Sequence, residues 1–171
     1  MEISKKLLEA GYSIEWVKMS YEEIQADKTS EISLDSATKL ADRISGAFFL
    51  EDTGLYIDSL QGFPGPYSSF IARKLGNDGI LKLLEGKDRK ARFVTVITLV
   101  QDRQFHQFEG VLEGTISSEQ RGTVGFGFDP IFVPVGEYRT LAEMSTEEKN
   151  RVSHRSRALE LLISYLFKVK P

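Results

Sequence analysis

The chain of 171 residues contains no cysteine. Disulfides, thiolate metal sites and cysteine nucleophiles are excluded, and the absence suits a reducing compartment. Positive charge is not in excess either: 22 Lys and Arg stand against 25 Asp and Glu, a formal net charge of −3. A protein that grips a duplex by its phosphates usually carries a basic face, so no nucleic-acid partner is expected. No apolar run reaches the roughly 18 to 20 residues of a membrane span. The longest apolar-rich stretch, Phe93 to Val100, is interrupted by threonines. The opening residues, Met1-Glu2-Ile3-Ser4-Lys5-Lys6, have neither the apolar core nor the small-residue cleavage site of a signal peptide. A cytoplasmic protein without a membrane partner is the expectation. Repeats, low-complexity tracts and linkers are missing as well, which predicts one domain over residues 1–171.

What is present is an ordinary globular composition, 41% hydrophobic and 27% charged, enough to build a sizeable core. Ile3, Leu7, Leu8 and Gly11 predict a short amphipathic helix closed by glycine. Residues 12–19 alternate and predict a strand, and 20–30 a polar loop. Helical spacing over 33–45 ends at Gly46. Residues 47–50 predict a buried strand. Two short helices are predicted over 68–75 and 78–84. Long strands are predicted over 92–100 and 105–116, joined as a hairpin. Residues 125–133 predict a glycine-aromatic turn running into a strand. Ser145-Thr146-Glu147-Glu148 matches a capping box, and Leu159, Leu162 and Leu166 mark one face of the last helix. The fold class expected is α/β with a mixed sheet.

Four segments carry candidate chemistry. Glu51-Asp52-Thr53-Gly54 places two carboxylates after an apolar strand, where ligands of α/β sheets tend to bind. Neighbouring strand residues face opposite sides, so the two acids cannot do the same job. A solvated turn is the competing explanation. In Gly125-Phe126-Gly127-Phe128-Asp129-Pro130, glycines permit close backbone approach and aromatic rings can stack on a base, against the alternative of core phenylalanines. Lys149 and Ser153-His154-Arg155 combine cations, a hydroxyl and a helix start, the parts of an anion or carbonyl-oxygen site, or else a solvated helix face. Glu23 is an acid in a polar loop that signals nothing alone.

Their order along the chain is more specific than any one of them. Glu-Glu-Ile-Gln is followed by Glu-Asp-Thr-Gly, Gly-Phe-Pro-Gly-Pro-Tyr-Ser, Gly-Phe-Gly-Phe-Asp-Pro-Ile-Phe and Ala-Glu-Met-Ser-Thr-Glu-Glu-Lys-Asn-Arg-Val-Ser-His-Arg. This series resembles the inosine triphosphate pyrophosphatase family, the non-standard purine nucleoside triphosphate pyrophosphatases, over nearly the whole chain. The resemblance implies an elongated, mixed and twisted sheet flanked by helices, with two lobes around a central cleft. It implies hydrolysis of inosine, deoxyinosine and xanthosine triphosphates to the monophosphate and pyrophosphate, dependence on Mg²⁺ (Mn²⁺ takes the same ligands) and a homodimer. By position it implies Asp52 as proton acceptor and metal contact, with Glu51 and Glu23 as further metal acids. Thr53, where most members have serine, Phe126, Gly127, Phe128, Asp129, Lys149, His154 and Arg155 fall on substrate-binding positions. Phe128 replaces a frequent tyrosine or tryptophan, and Lys39 corresponds to a phosphate-facing lysine. His154 and Arg155 are expected to donate to the 6-oxygen of the base, which adenine lacks.

Family members open with a strand and a Ser/Thr-x-Asn-x-x-Lys motif that clamps the triphosphate. The helix after that motif aligns with Glu2 to Glu9, so the sequence as given starts beyond it. The expectations are that Met1 is an internal methionine and that this chain binds triphosphate weakly. The alternative function is accordingly a weakly active or non-catalytic nucleotide-binding protein.

Overall fold

A computed structural model describes residues 2–169 of the chain. Helix α1 (Glu2–Glu9) leads into an irregular segment, and α2 (Thr29–Ala41) precedes the first strand, β1 (Phe48–Ile57). The two-residue strand β2 (Pro64–Gly65), helices α3 (Ser68–Lys74) and α4 (Gly76–Leu83), and the long strands β3 (Lys90–Gln101) and β4 (Gln104–Ile116) follow. Strand β5 (Phe132–Pro134) and helices α5 (Thr146–Val152) and α6 (His154–Lys168) complete the order. The five strands form one sheet, β2-β1-β3-β4-β5. The α/β architecture is as expected. The pairing differs in one respect: among the described residues every pair is antiparallel, not mixed.

Residues 12–19 are a second difference. They form no strand, and Trp16 and Val17 are exposed. A strand exists by its ladder, and no described segment pairs with this one. A third difference is at β1, which runs through Glu51-Asp52-Thr53-Gly54 instead of turning there. Its register with β3 is unbroken, from Phe48↔Val100 to Ile57↔Ala91. Cross-strand pairing overrides the turn character of those four residues. The β3–β4 hairpin is tight: Asp102 and Arg103 both take positive φ, 51° and 59°, as a two-residue turn between right-twisted strands requires.

Strand β3 is buried from Ala91 to Val100 save for Arg92, so both faces are covered. Its odd-numbered face supplies Ala91 and Phe93 to one hydrophobic core, with Leu112, Phe132 and Leu141. The same face supplies Ile97 and Leu99 to a second core, with Ile3, Leu7, Leu159 and Leu162. Thr95 sits between the two. Helix α6 packs along this face, and α2 covers the other, where Ser33 meets Thr98 (2.7 Å). The two cores thus flank a polar waist at Thr95.

Candidate active site

Pairing with β3 sorts the β1 residues by face, because directly paired residues share a side of the sheet. Glu51 and Thr53 oppose Ile97 and Thr95, on the α6 side, and Asp52 opposes Val96, on the α2 side. The two acids thus have different surroundings, as their adjacency predicts. Strand β2 pairs only with Leu55 and Tyr56, so the edge of β1 at Glu51–Thr53 is bare on that side among the described residues. A cleft of about 510 Å³ runs along this edge. Glu23, Glu51, Asp52, Thr53, Arg73 and Arg155 line it, with Tyr67 and Phe70.

Asp52 stands out electrostatically. Burial, and then the Glu23 and Glu51 carboxylates, raise its pKa to about 6, with the Ser33 hydroxyl working the other way. Its Oδ2 is buried with no hydrogen-bond partner. Tyr21 lies in the same field: burial, Asp52 and Glu23 push its phenol up. Sequence reasoning assigned nothing to Tyr21, although it adjoins the Glu22-Glu23 pair. Glu51 is committed elsewhere, accepting from Arg155 Nε at 2.6 Å. Among the described residues no group of three or more Asp, Glu or His is arranged to hold a metal ion. Glu23 and Asp52 are the acids of the cleft without such a cationic partner in hand.

The loop that carries Glu23 has no regular structure and is held by side chains. Lys39 donates to the Glu22 carbonyl (2.8 Å) and pairs with Asp35 (2.6 Å), Arg43 donates to the Ser20 carbonyl (3.0 Å), and Tyr67 accepts from the Ala26 amide (3.1 Å). Lys39 therefore fastens the loop and does not line the cleft. Tyr56 fixes the start of α2 by bonding the amide and hydroxyl of Thr29 (2.8 and 2.7 Å).

On the other flank, α5 opens with the expected capping box at Ser145 and Glu148, and Ser153 caps α6 by accepting from the Ser156 amide (3.0 Å). His154 and Arg155 are thereby placed in the first turn of α6. Lys149 pairs with Asp129, and Asp129 also accepts from the Phe126 amide (2.9 Å). Gly125 is obligatory there: its φ is +97°, and a β-carbon would run into Asp129 Oδ2. The turn throws Phe126 outward, 67% exposed, with Lys149 Nζ 5.1 Å and Arg155 Cζ 5.9 Å from its ring centre. Phe128 goes the opposite way and is a core residue, 3% exposed, and Gly127 is exposed with open space about it. His154 is buried, stacked on Phe93 at 4.8 Å, and its Nδ1 lies 2.6 Å from the Thr95 hydroxyl. Burial, then Arg155, Lys149 and Arg157, lower its pKa to about 3, so the ring is neutral.

The structure thus gathers Glu23, Glu51, Asp52, Thr53 and Arg155 at one cleft, and Phe126, Asp129 and Lys149 in one cluster beside it. Arg155 joins the two groups. Phe128, His154 and Lys39 lie apart from the cleft lining, the first two buried. Arg73, from α3, lines the cleft without having been singled out in the sequence, since nothing local distinguishes it from other surface arginines.

The Ham1 family model matches residues 2–165. A dITP/XTP pyrophosphatase of Thermococcus kodakarensis is 49% identical over 168 residues, covering 97% of this chain and 91% of the relative. One of Pyrococcus horikoshii is 46% identical, over 96% of this chain and 89% of its own. Among solved structures, a HAM1 protein from Coxiella burnetii superposes with a TM-score of 0.79 at 34% identity, covering 86% of this chain and 82% of that one. A nucleoside-triphosphatase, dITP/XTP pyrophosphatase, from Mycobacterium abscessus gives 0.77 at 35%, covering 96% and 92%.

Proposed function

The chain belongs to the Ham1 family, and on that premise we propose that it hydrolyses non-standard purine nucleoside triphosphates, dITP, ITP and XTP, to the monophosphate and pyrophosphate. The observation that carries this reading is Arg155. It pairs with Glu51 in an acidic cleft and stands beside the exposed Phe126 ring, so a phosphate chain and a base have adjoining places. In the reaction one water adds to the α-phosphorus, the bond to the bridging oxygen breaks, and pyrophosphate leaves.

Phe126 offers its face to the purine, and Lys149 and Asp129 hold the turn that presents it. Arg73 supplies positive charge for the phosphates, and Arg155, beside the Phe126 ring, supplies a donor for the edge of the base. Asp52, with a pKa near the working range, orients the attacking water and takes its proton. A divalent cation fits the acidic end: Asp52 Oδ2 is a buried oxygen without a partner, beside Glu23. Few protein ligands suit Mg²⁺, which keeps several waters and takes substrate oxygens as well, and Mn²⁺ accepts the same donors. Glu23 and Asp52 would hold it, with Glu51 reserved for Arg155. When bound, the ion would neutralise triphosphate charge. Among the described residues no helix is long and apolar enough to cross a membrane. A homodimer is carried over with the family resemblance, and the cytoplasmic expectation of the sequence is kept as part of the proposal.

A substrate panel tests the proposal. With Mg²⁺ present, dITP and XTP are expected to show kcat/KM at least about a hundredfold above dATP, since each mismatched polar group at the base edge costs roughly 1–3 kcal/mol. Equal turnover of all purine triphosphates would reject it.

A further inference from the structure

His154 is neutral and has a single ring proton, so it exists as one of two tautomers, and the tautomer decides what it offers a ligand. Its Nδ1 is 2.6 Å from Thr95 Oγ1, which is 2.6 Å from Thr53 Oγ1, which reaches Glu51 Oε1 at 3.4 Å. Thr95 is fully buried at the waist between the two cores, and cross-strand pairing sets it directly against Thr53. We infer that Thr95 is a positioning residue that holds His154 as the Nδ1–H tautomer, through a hydroxyl chain that ends on Glu51.

The direction of the chain follows from proton counting. Each hydroxyl has one proton to give. The Glu51 carboxylate, already accepting from Arg155, is an acceptor only. Thr53 donates toward it, so Thr53 must accept from Thr95. Thr95 has then spent its proton and accepts from His154. The opposite direction would aim a Thr53 lone pair at the carboxylate and withdraw the proton that faces it. The ring is therefore Nδ1–H, and Nε2 carries the lone pair.

This revises the expectation that both His154 and Arg155 donate to the base. With both residues at the base, as the family resemblance implies, Arg155 remains a donor and His154 offers the Nε2 lone pair as an acceptor. A donor and an acceptor side by side match the edge of a 6-oxopurine, which shows an oxygen at position 6 and an N–H at position 1. Adenine shows an amino group and a lone pair at the same places and meets the reverse of each. The inference rests on the pyrophosphatase reading for its consequence, and on the hydroxyl chain alone for the tautomer.

The two are separable by experiment. The chain has only two histidines, His106 and His154, so ¹⁵N imidazole spectra of the labelled full-length protein are assignable with a His106→Gln variant. Wild type at neutral pH should show a protonated-type shift at Nδ1 of His154 and a lone-pair-type shift at Nε2. Thr95→Ser should keep that pattern. Thr95→Val, close in shape but without the hydroxyl, should shift the population toward Nε2–H. It should also lower the dITP/dATP ratio of kcat/KM by roughly tenfold or more, with the serine variant restoring it. An Nε2–H ring in wild type, or an unchanged ring in Thr95→Val, would overturn the inference. The spectra require no turnover, so a chain with the expected tautomer and no dITP hydrolysis would count against the function and not against the hydroxyl chain.

Discussion

At Asp52, burial and two neighbouring carboxylates oppose ionisation, and only the Ser33 hydroxyl favours it. A carboxyl whose folded pKa lies above its unfolded value binds its proton more tightly in the native state. Without a divalent ion, the contribution of Asp52 to stability is therefore fully present below about pH 4 and is lost as pH rises through about 6. Urea midpoints in chelator should show this decline, on the order of 1–3 kcal/mol, and Asp52→Asn should flatten it. Added Mg²⁺ or Mn²⁺ should raise the thermal midpoint of wild type and do so less in Asp52→Asn. At Phe126 the stakes are binding, not stability, because the ring is exposed. Phe126→Ala should raise KM for dITP about tenfold, as expected for a lost base stack, and leave the melting temperature unchanged. The two phenylalanines of this turn could not be told apart in the sequence. Positive φ at Gly125 and Gly127 turns one outward while the other fills the core, and that division depends on the backbone path.

Helix α6 reaches its position because β4 presents a residue without a side chain to it. A β-carbon at Gly110 would collide with the His154 carbonyl and the Ala158 amide. Gly110→Ala should lift the first turn of α6, lower stability by about 1–3 kcal/mol and reduce activity by displacing His154 and Arg155; urea titration and dITP kinetics report the two effects. Elements whose signals are local were legible in the sequence: the hairpin, the capping box at Ser145 and the last helix with its leucines. Elements that depend on distant partners were not. The alternating residues 12–19 lack a described ladder, and Glu51–Gly54 became strand because β3 pairs with it. The same holds for the site. Glu23, Asp52 and Arg155 were named by chain order and family likeness, whereas Tyr21, Thr95 and Arg73 join them only through topology.

The molecule as a whole is organised by β3, which feeds Phe93 to one core and Ile97 and Leu99 to the other. A shared central strand gives neither core an independent framework, and we propose that residues 1–171 form one domain. Far- and near-ultraviolet circular dichroism should then report one coincident thermal transition; separated transitions would show two units. On the proposed reading the chemistry sits at the waist between the cores, where polar residues of β1, β3 and α6 meet at a bare sheet edge. The central claim is that this waist cleaves between the first and second phosphates, with Asp52 handling the water. Its most direct measurement is product stoichiometry from dITP and Mg²⁺, for wild type and Asp52→Asn. Equal amounts of dIMP and pyrophosphate are expected, with turnover at least about a hundredfold lower in the variant. Release of single phosphates, or an unchanged rate in Asp52→Asn, would contradict it.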